Sequence, residues 1–396
     1  MMVLEQKTIL IMAGGTGGHI FPALAIADEM KRRHYDIVWL GTKKSMESRL
    51  VPENNYPIEY IDIAGLRGKG FISLLVMPYK LIKAVLQTFS IFNRIKPDLT
   101  VGMGGFVTGP GGLVSWLMGK PLVIHEQNAI SGLSNNLLSV IARQCLTAFP
   151  GAYRGWFKRK DTAVTGNPVR KDILAVNKKS LDQQQNRQQK KTLNILVIGG
   201  SLGAQKVNEV VPLALQKLQL ETDKNKPENY QSYQVRHQCG KGKVEQVKTI
   251  IAGNFFDQNS HIKITYQLEE FISDMAEVYK WADLIICRSG ALTISEIASV
   301  GISSILIPFP YAVDDHQTEN AKFLTENQAG FLLPQNKLNA QSLKLLIEQC
   351  TVEKLTKMAK KAKQLARPKA TIEVTDRCLS WINNRAVDKS KTGKLL

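Results

Sequence analysis

The chain has 396 residues, enough for two α/β domains with a core each, and its hydrophobic fraction of 44% is that of a globular protein. A net charge of +18 calls for an anionic partner, whether nucleic acid, acidic lipid or a phosphorylated substrate, without choosing among them. The five cysteines (Cys145, Cys239, Cys287, Cys350, Cys378) are odd in number, far apart and free of any Cys-x-x-Cys pair, which argues against a disulfide framework or a zinc site and fits reduced thiols in a cytosolic protein.

After the polar Glu5-Gln6-Lys7, the apolar run Thr8 to Ala13 is too short for a signal peptide and reads as a first strand. A helix is expected from about Pro22 to Arg33 and a second strand over Ile37 to Gly41, followed by strands at Leu99 to Val101, Leu122 to His125 and Leu146 to Phe149. Between Lys171 and Lys191 the composition turns to Lys, Gln and Asn, the best linker candidate in the chain. A second series follows, with strands at Leu193 to Ile198, Ile262 to Thr265, Leu284 to Cys287 and Ser304 to Ile307. The alternation predicts an α/β protein of two doubly wound, Rossmann-like halves facing one another across a cleft. The expected bounds are 7–168 for the N-terminal domain, 169–191 for the linker, 192–367 for the C-terminal domain and 368–396 for a terminal helix and tail. The helix, Ala370 to Asn384, has no docking site legible in the sequence.

Three glycine clusters stand just after strand-like runs. They are Gly14-Gly15-Thr16-Gly17-Gly18-His19, Gly102-Met103-Gly104-Gly105 continuing to Gly109-Pro110-Gly111-Gly112, and Gly199-Gly200-Ser201-Leu202-Gly203. Such turns aim backbone N–H groups and a helix dipole at an anion, so they imply a phosphate-bearing ligand, although any one of them also serves as a plain tight turn. Ile20 falls where a dinucleotide fingerprint needs its third glycine, and no cluster ends in the Gly-Lys-Ser/Thr of a P-loop.

The segment Phe71 to Lys96 is rich in large apolar residues but is interrupted by Pro78, Lys80 and Lys83, short of the roughly 20 apolar residues a spanning helix needs. Phe71, Leu75, Lys80 and Lys83 are the candidate patch for an anionic membrane surface; a core helix with a basic edge is the competing reading.

In the second half, Cys287-Arg288-Ser289-Gly290-Ala291-Leu292-Thr293-Ile294-Ser295-Glu296 puts a turn and a helix start at the carboxyl edge of a sheet, where open α/β folds bind ligands. Glu296 has two readings, the ribose-binding carboxylate of a nucleotide site or the partner of Thr293 in a capping box. The loop holding Asp314-Asp315-His316-Gln317, before Asn320, suits sugar hydroxyls.

Together with His125-Glu126-Gln127-Asn128, Thr165-Gly166-Asn167-Pro168-Val169-Arg170 and Arg288-Ser-Gly-Ala-Leu-Thr293, these clusters make the chain resemble the MurG family from about Ile9 to Leu333. That family transfers N-acetylglucosamine from UDP-GlcNAc to undecaprenyl-pyrophosphoryl-MurNAc-pentapeptide, turning lipid I into lipid II for peptidoglycan. The resemblance implies a GT-B fold and a metal-independent, inverting transfer with no cofactor, at the cytoplasmic face of the bacterial inner membrane. No Asp-x-Asp metal signature occurs. Phe106 departs from the tyrosine common in the family.

By position, the resemblance implies UDP-GlcNAc binding by Thr16, Gly17, Gly18, Asn128, Arg170, Ser201, Ile272, Ala291, Leu292, Thr293, Glu296 and Gln317. Ile272 would offer backbone groups to the uracil, and Gly14, Gly15, Gly104 and Gly105 would surround the acceptor pyrophosphate. His19 is the candidate general base or an acceptor binder, and His125 and Glu126 are further catalytic candidates or a hydrogen-bonded pair shaping the cleft. Competing readings are a diacylglycerol glycosyltransferase, a UDP-GlcNAc epimerase, and a basic nucleic-acid-binding protein, the last disfavoured because no nucleic-acid motif occurs.

Overall fold

The structure, a computed structural model, describes residues 6–63, 71–159, 161–176, 192–199, 204–221, 230–253 and 260–392, with the side chains of 71–76, Val313 and 383–392 left out. Ser201, the stretch 177–191 of the expected linker, the tail beyond 392 and the side chains of Phe71 and Leu75 therefore lie outside the described parts. The chain forms two units, residues 1–170 with 368–396, and residues 171–367.

The first unit runs β1 (Thr8–Ala13), α1 (Gly17–Arg32), β2 (Asp36–Gly41), α2 (Glu47–Glu53), β3 (Ile58–Tyr60), α3 (Phe71–Ile95), β4 (Leu99–Gly104), α4 (Thr108–Leu117), β5 (Leu122–Glu126), α5 (Leu133–Ser139), β6 (Gln144–Thr147) and β7 (Ala163–Val164). Its seven strands are parallel in the order β3-β2-β1-β4-β5-β6-β7, with Ile11 of β1 paired to Trp39 and Val101. β1 is central and covered on both faces, which is why Ile9 to Ala13 read as an unbroken apolar run and are fully buried.

The second glycine cluster divides between two jobs. Only Gly104 and Gly105 lie at the strand end, with φ of +101° and +89°. Gly111 sits inside α4, where an added Cβ would come within 2.2 Å of the Met12 sulfur, so this part lets the helix lie close on the sheet and is not a phosphate loop.

The second unit contains α6 (Lys171–Leu174), β8 (Thr192–Ile198), α7 (Gln205–Glu221), β9 (Ser232–Gln238), α8 (Val244–Gly253), β10 (Lys263–Glu269), α9 (Met275–Trp281), β11 (Leu284–Cys287), α10 (Ala291–Val300), β12 (Ser303–Leu306), α11 (His316–Thr325), β13 (Phe331–Leu332), α12 (Ala340–Glu348) and α13 (Val352–Gln364). Its six-stranded sheet, also parallel, has the order β10-β9-β8-β11-β12-β13. Both sheets switch direction beside their first strand, the position at which open α/β sheets present a ligand crevice.

The last helix, α14 (Ala370–Thr392), returns to the first unit. Val374, Cys378, Leu379 and Ile382 join the core formed by β1 and α1, Arg33 bonds Asp376 at 2.5 Å, and the indole of Trp381 donates to Gln144 at 3.2 Å.

Candidate functional sites in the two units

In the first unit the β1–α1 and β4–α4 turns are interlocked. Gly14 N–H donates to the Gly104 carbonyl at 3.3 Å, and a Cβ on Gly105 would stand 2.4 Å from the Gly14 carbonyl oxygen. Glu47, buried at the start of α2, holds the first turn from beneath: its carboxylate accepts from Gly15 N–H at 3.0 Å, Thr42 N–H at 3.0 Å and Thr42 Oγ1 at 2.8 Å. Glu47 carries no motif, and its partners lie on separate turns, so nothing in the sequence singles it out. Above it, Thr16 is the exposed N-cap of α1, and Gly17 and Gly18 open the first turn, where the leading amides precede any intrahelical acceptor. That turn contains no acidic residue, so the positive end of the helix is uncompensated by its own side chains.

His19 follows in the same turn, half-buried, with its ring against Gly104: a Cβ there would be 2.8 Å from both Cε1 and Nδ1. Its Nδ1 lies 2.8 Å from Oε1 of Gln127. His125, at the end of β5, has no exposed surface; its Nε2 is 3.0 Å from the Gly166 carbonyl and its Nδ1 is 3.1 Å from Gln127 Nε2. Burial pulls its pKa down to about 4, so it is neutral near pH 7. Glu126 is equally buried, and its carboxylate accepts from Asn128 N–H and Nδ2 at 2.9 and 3.2 Å, Gly132 N–H at 3.1 Å and Asn135 Nδ2 at 2.8 Å.

One expectation is thereby corrected: His125 and Glu126 do not form a hydrogen-bonded pair, since His125 bonds the Gly166 carbonyl and Gln127 while Glu126 is held by Asn128, Gly132 and Asn135. Asn128, expected at the sugar, braces Glu126 with its side-chain amide. Arg170 lays its guanidinium 5.3 Å from the Phe21 ring centroid, and Phe106 is exposed.

In the second unit a cavity of about 710 Å³ opens where β8 and β11 end. Gly290 is the extended N-cap of α10, and Ala291, Leu292 and Thr293 form its first turn, with Gly290 and Thr293 lining the cavity. Lys206, Lys243 and Arg288 supply cations, Phe309 and Tyr311 aromatic surface, and Gln317 an amide. Arg288 is anchored by the Ile307 and Pro308 carbonyls at 3.1 and 3.0 Å and by Gln335 Oε1 at 2.5 Å, while its guanidinium stacks 5.4 Å from the Phe309 ring. Gln317 accepts the Phe309 N–H at 2.9 Å, and Ser289 Oγ donates to the Gln317 carbonyl at 2.7 Å, so the α11 start is tied to the β11–α10 turn.

Glu296 lies farther along α10, buried, and accepts the Tyr279 hydroxyl at 2.8 Å. The capping-box reading fails: α10 begins at Gly290, so Thr293 sits inside the helix and cannot cap it. Ile272, expected at the uracil, spends its N–H on Gln238 Oε1 at 2.9 Å. Lys206 and Lys243 were missed by motif reading. For Lys243 a signal exists, since Gly240-Lys241-Gly242-Lys243 follows β9 as the other glycine turns follow their strands.

Two parallel α/β units, each with glycine turns and helix N-termini at the carboxyl edge of its sheet, make up a GT-B fold, and the chain's relatives make it that of a glycosyltransferase. Residues 9–147 match the glycosyltransferase family 28 N-terminal domain, and residues 194–374 match the family 28 C-terminal domain. The chain is 44% identical over 383 residues to the UDP-N-acetylglucosamine--N-acetylmuramyl-(pentapeptide) pyrophosphoryl-undecaprenol N-acetylglucosamine transferase of Pseudoalteromonas atlantica, with 94% of each chain covered. It is 46% identical to the enzyme of that name from Nitrosomonas europaea, covering 95% of this chain and 100% of the other. The crystal structure of Acinetobacter baumannii MurG superposes with a TM-score of 0.77 at 38% identity, over 94% of this chain and 99% of that one. The chain belongs to the MurG family of glycosyltransferases and is a hexosyltransferase.

Proposed function

We propose that this enzyme transfers GlcNAc from UDP-GlcNAc to the C4 hydroxyl of MurNAc in undecaprenyl-pyrophosphoryl-MurNAc-pentapeptide, in peptidoglycan synthesis. The observation that carries the donor half is the α10 N-terminus opening on a cavity ringed by Lys206, Lys243 and Arg288. As the acceptor oxygen bonds to the anomeric carbon, the bond to UDP breaks and negative charge grows on the diphosphate. Preorganised amides, the helix dipole and the three cations stabilise that charge, the work a metal does in other transferases. Thr293 and Gln317 serve the donor; the family resemblance assigns Ser201, Ala291 and Leu292 to it as well, with Glu296 at the ribose and Ile272 at the uracil.

On the first unit, the turns of Gly14, Gly15, Gly104 and Gly105 face the acceptor pyrophosphate; with the Gly14 and Gly15 amides already given to the Gly104 carbonyl and Glu47, the start of α1 supplies the donors. Thr16, Gly17, Gly18, Asn128 and Arg170, which the family resemblance assigns to UDP-GlcNAc, belong to this first unit. His19 takes the proton from the acceptor hydroxyl as the new bond forms.

Membrane attachment is peripheral in this reading. No helix among the described residues is long and apolar enough to cross a bilayer. Tyr79, Ile82 and Leu86 of α3 are more than half exposed, as are Trp116 and Leu117 on the neighbouring α4, and Lys80 is exposed beside them. Such an oily surface with basic residues suits the headgroup region of an anionic leaflet. Lys83 contributes less than expected, because it pairs with Asp62 at 2.8 Å. The patch supports peripheral attachment, which at the cytoplasmic face of the inner membrane would bring the enzyme to a lipid-anchored acceptor.

The experiment is transfer of labelled GlcNAc to a lipid I analogue with EDTA present, against UDP-glucose as competing donor. Transfer from UDP-GlcNAc undiminished by EDTA is expected; EDTA-sensitive transfer, or none, overturns the proposal.

A further inference from the structure

Four groups on three segments of the first unit form a hydrogen-bonded series: the Gly166 carbonyl, the His125 ring, the Gln127 amide and the His19 ring. Its protons can be assigned by elimination, because one end is a backbone carbonyl, which only accepts. His125 Nε2, 3.0 Å from Gly166 O, must therefore carry the hydrogen. The ring is fully enclosed and neutral, so its Nδ1 is a lone pair and needs a donor. The Gln127 group that faces it also faces the His125 carbonyl at 3.0 Å, a second pure acceptor, so both contacts demand the NH2 side of the amide. The amide oxygen is left pointing at His19 Nδ1, 2.8 Å away, and an oxygen there requires Nδ1–H.

We infer that Gln127 and His125 are positioning residues that hold His19 as its Nδ1–H tautomer, leaving the Nε2 lone pair as the basic site. The ring orientation is fixed by the same bond and by contact with Gly104. The catalytic meaning rests on His19 acting as the base proposed above; the tautomer itself does not. When Nε2 takes the proton of the acceptor hydroxyl, the imidazolium keeps its Nδ1–H bond to Gln127, and an amide oxygen does not accept that proton onward. The arrangement sets direction without adding a negative charge next to a pyrophosphate, in contrast to the carboxylate that orients histidine in hydrolytic triads. It also gives the buried His125 a purpose that direct catalysis does not.

The test is histidine side-chain nitrogen NMR on the full chain at pH 8, with His19→Gln and His125→Gln to assign the signals. The expected result is Nδ1–H for His19 and Nε2–H for His125. Gln127→Met removes the amide while keeping its length; His19 should revert to the Nε2–H form that free histidine favours, and kcat should fall at least about 10-fold with the donor KM unchanged. Gln127→Glu retains an oxygen for His19 and should keep it Nδ1–H. An Nε2–H signal for His19 in the wild type or in Gln127→Glu, or an unaltered tautomer in Gln127→Met, overturns the inference. The expected tautomers in a chain that transfers no GlcNAc would uphold this assignment while rejecting the proposed reaction.

Discussion

Gly104→Ala separates positioning of His19 from stability of the first unit. Residue 104 has φ +101°, where an L side chain costs about 1–2 kcal/mol. At about 2–4 °C per kcal/mol for a unit of this size, Tm should drop by roughly 2–8 °C. The new Cβ would also stand 2.8 Å from Cε1 and Nδ1 of His19. Carbon contacts are comfortable at about 3.5–4.0 Å, so the ring must retreat by roughly 1 Å and loosen its bond to Gln127. A displacement of that size costs about 10²-fold in rate. The assay is transfer to a water-soluble lipid I analogue, well below the Tm, together with calorimetric titration of UDP-GlcNAc. We expect kcat to fall about 10²-fold with donor affinity held within about 2-fold, since Gly104 is not among the residues assigned to the donor and the cavity proposed for it is lined by second-unit residues. Gly119→Ala is the control: φ is +64° but nothing lies within 4 Å of the added carbon, so it carries strain without displacement. Equal loss of kcat in the two variants would refute the reasoning, as would a Gly104→Ala enzyme that loses Tm but keeps its rate.

Glu296→Gln keeps an acceptor for the Tyr279 hydroxyl, so Tm should hold while UDP-GlcNAc binding weakens by about 1–3 kcal/mol; unchanged affinity in a titration would confine Glu296 to a structural role. Glu47→Ala strands the Gly15 and Thr42 amides, at about 1–3 kcal/mol each if they stay dry, and should lower Tm and raise the acceptor KM without moving the donor KM. His125 is held neutral with its pKa lowered to about 4, so between about pH 6.5 and 4 the unfolded chain binds a proton that the folded chain refuses. Stability should therefore be full above about pH 6.5 and fall by on the order of 3 kcal/mol towards pH 4, read as Tm against pH. Ile82→Asp with Leu86→Asp changes two exposed side chains; vesicles containing anionic lipid should bind less of this variant at unaltered Tm, and normal binding would place the membrane contact elsewhere.

The alternation of strands and helices, the burial of β1 and the position of the glycine turns follow from local patterning, because a strand covered on both faces must be apolar throughout and a turn against a phosphate must lack Cβ atoms. The same motifs sufficed to mark the family. Tertiary structure decided what the motifs are for. Gly111 and its neighbours resemble a phosphate turn but serve helix packing, because the Met12 side chain that excludes a Cβ comes from a strand nearly a hundred residues earlier. Glu296 accepts a hydrogen bond from Tyr279 on another helix, which no capping pattern reveals. Glu47 and Lys206 stand in no recognised motif, yet folding sets one beneath a glycine turn and the other at a cavity wall. The C-terminal helix shows an amphipathic stripe in sequence, but only complementary packing against α1 assigns it to the first unit. His19 and Gln127 are 108 positions apart, and the proton each ring carries depends on a carbonyl at Gly166. Local propensity acts over a few residues, whereas hydrogen-bond complementarity is settled only where the folded chain brings distant groups within about 3 Å.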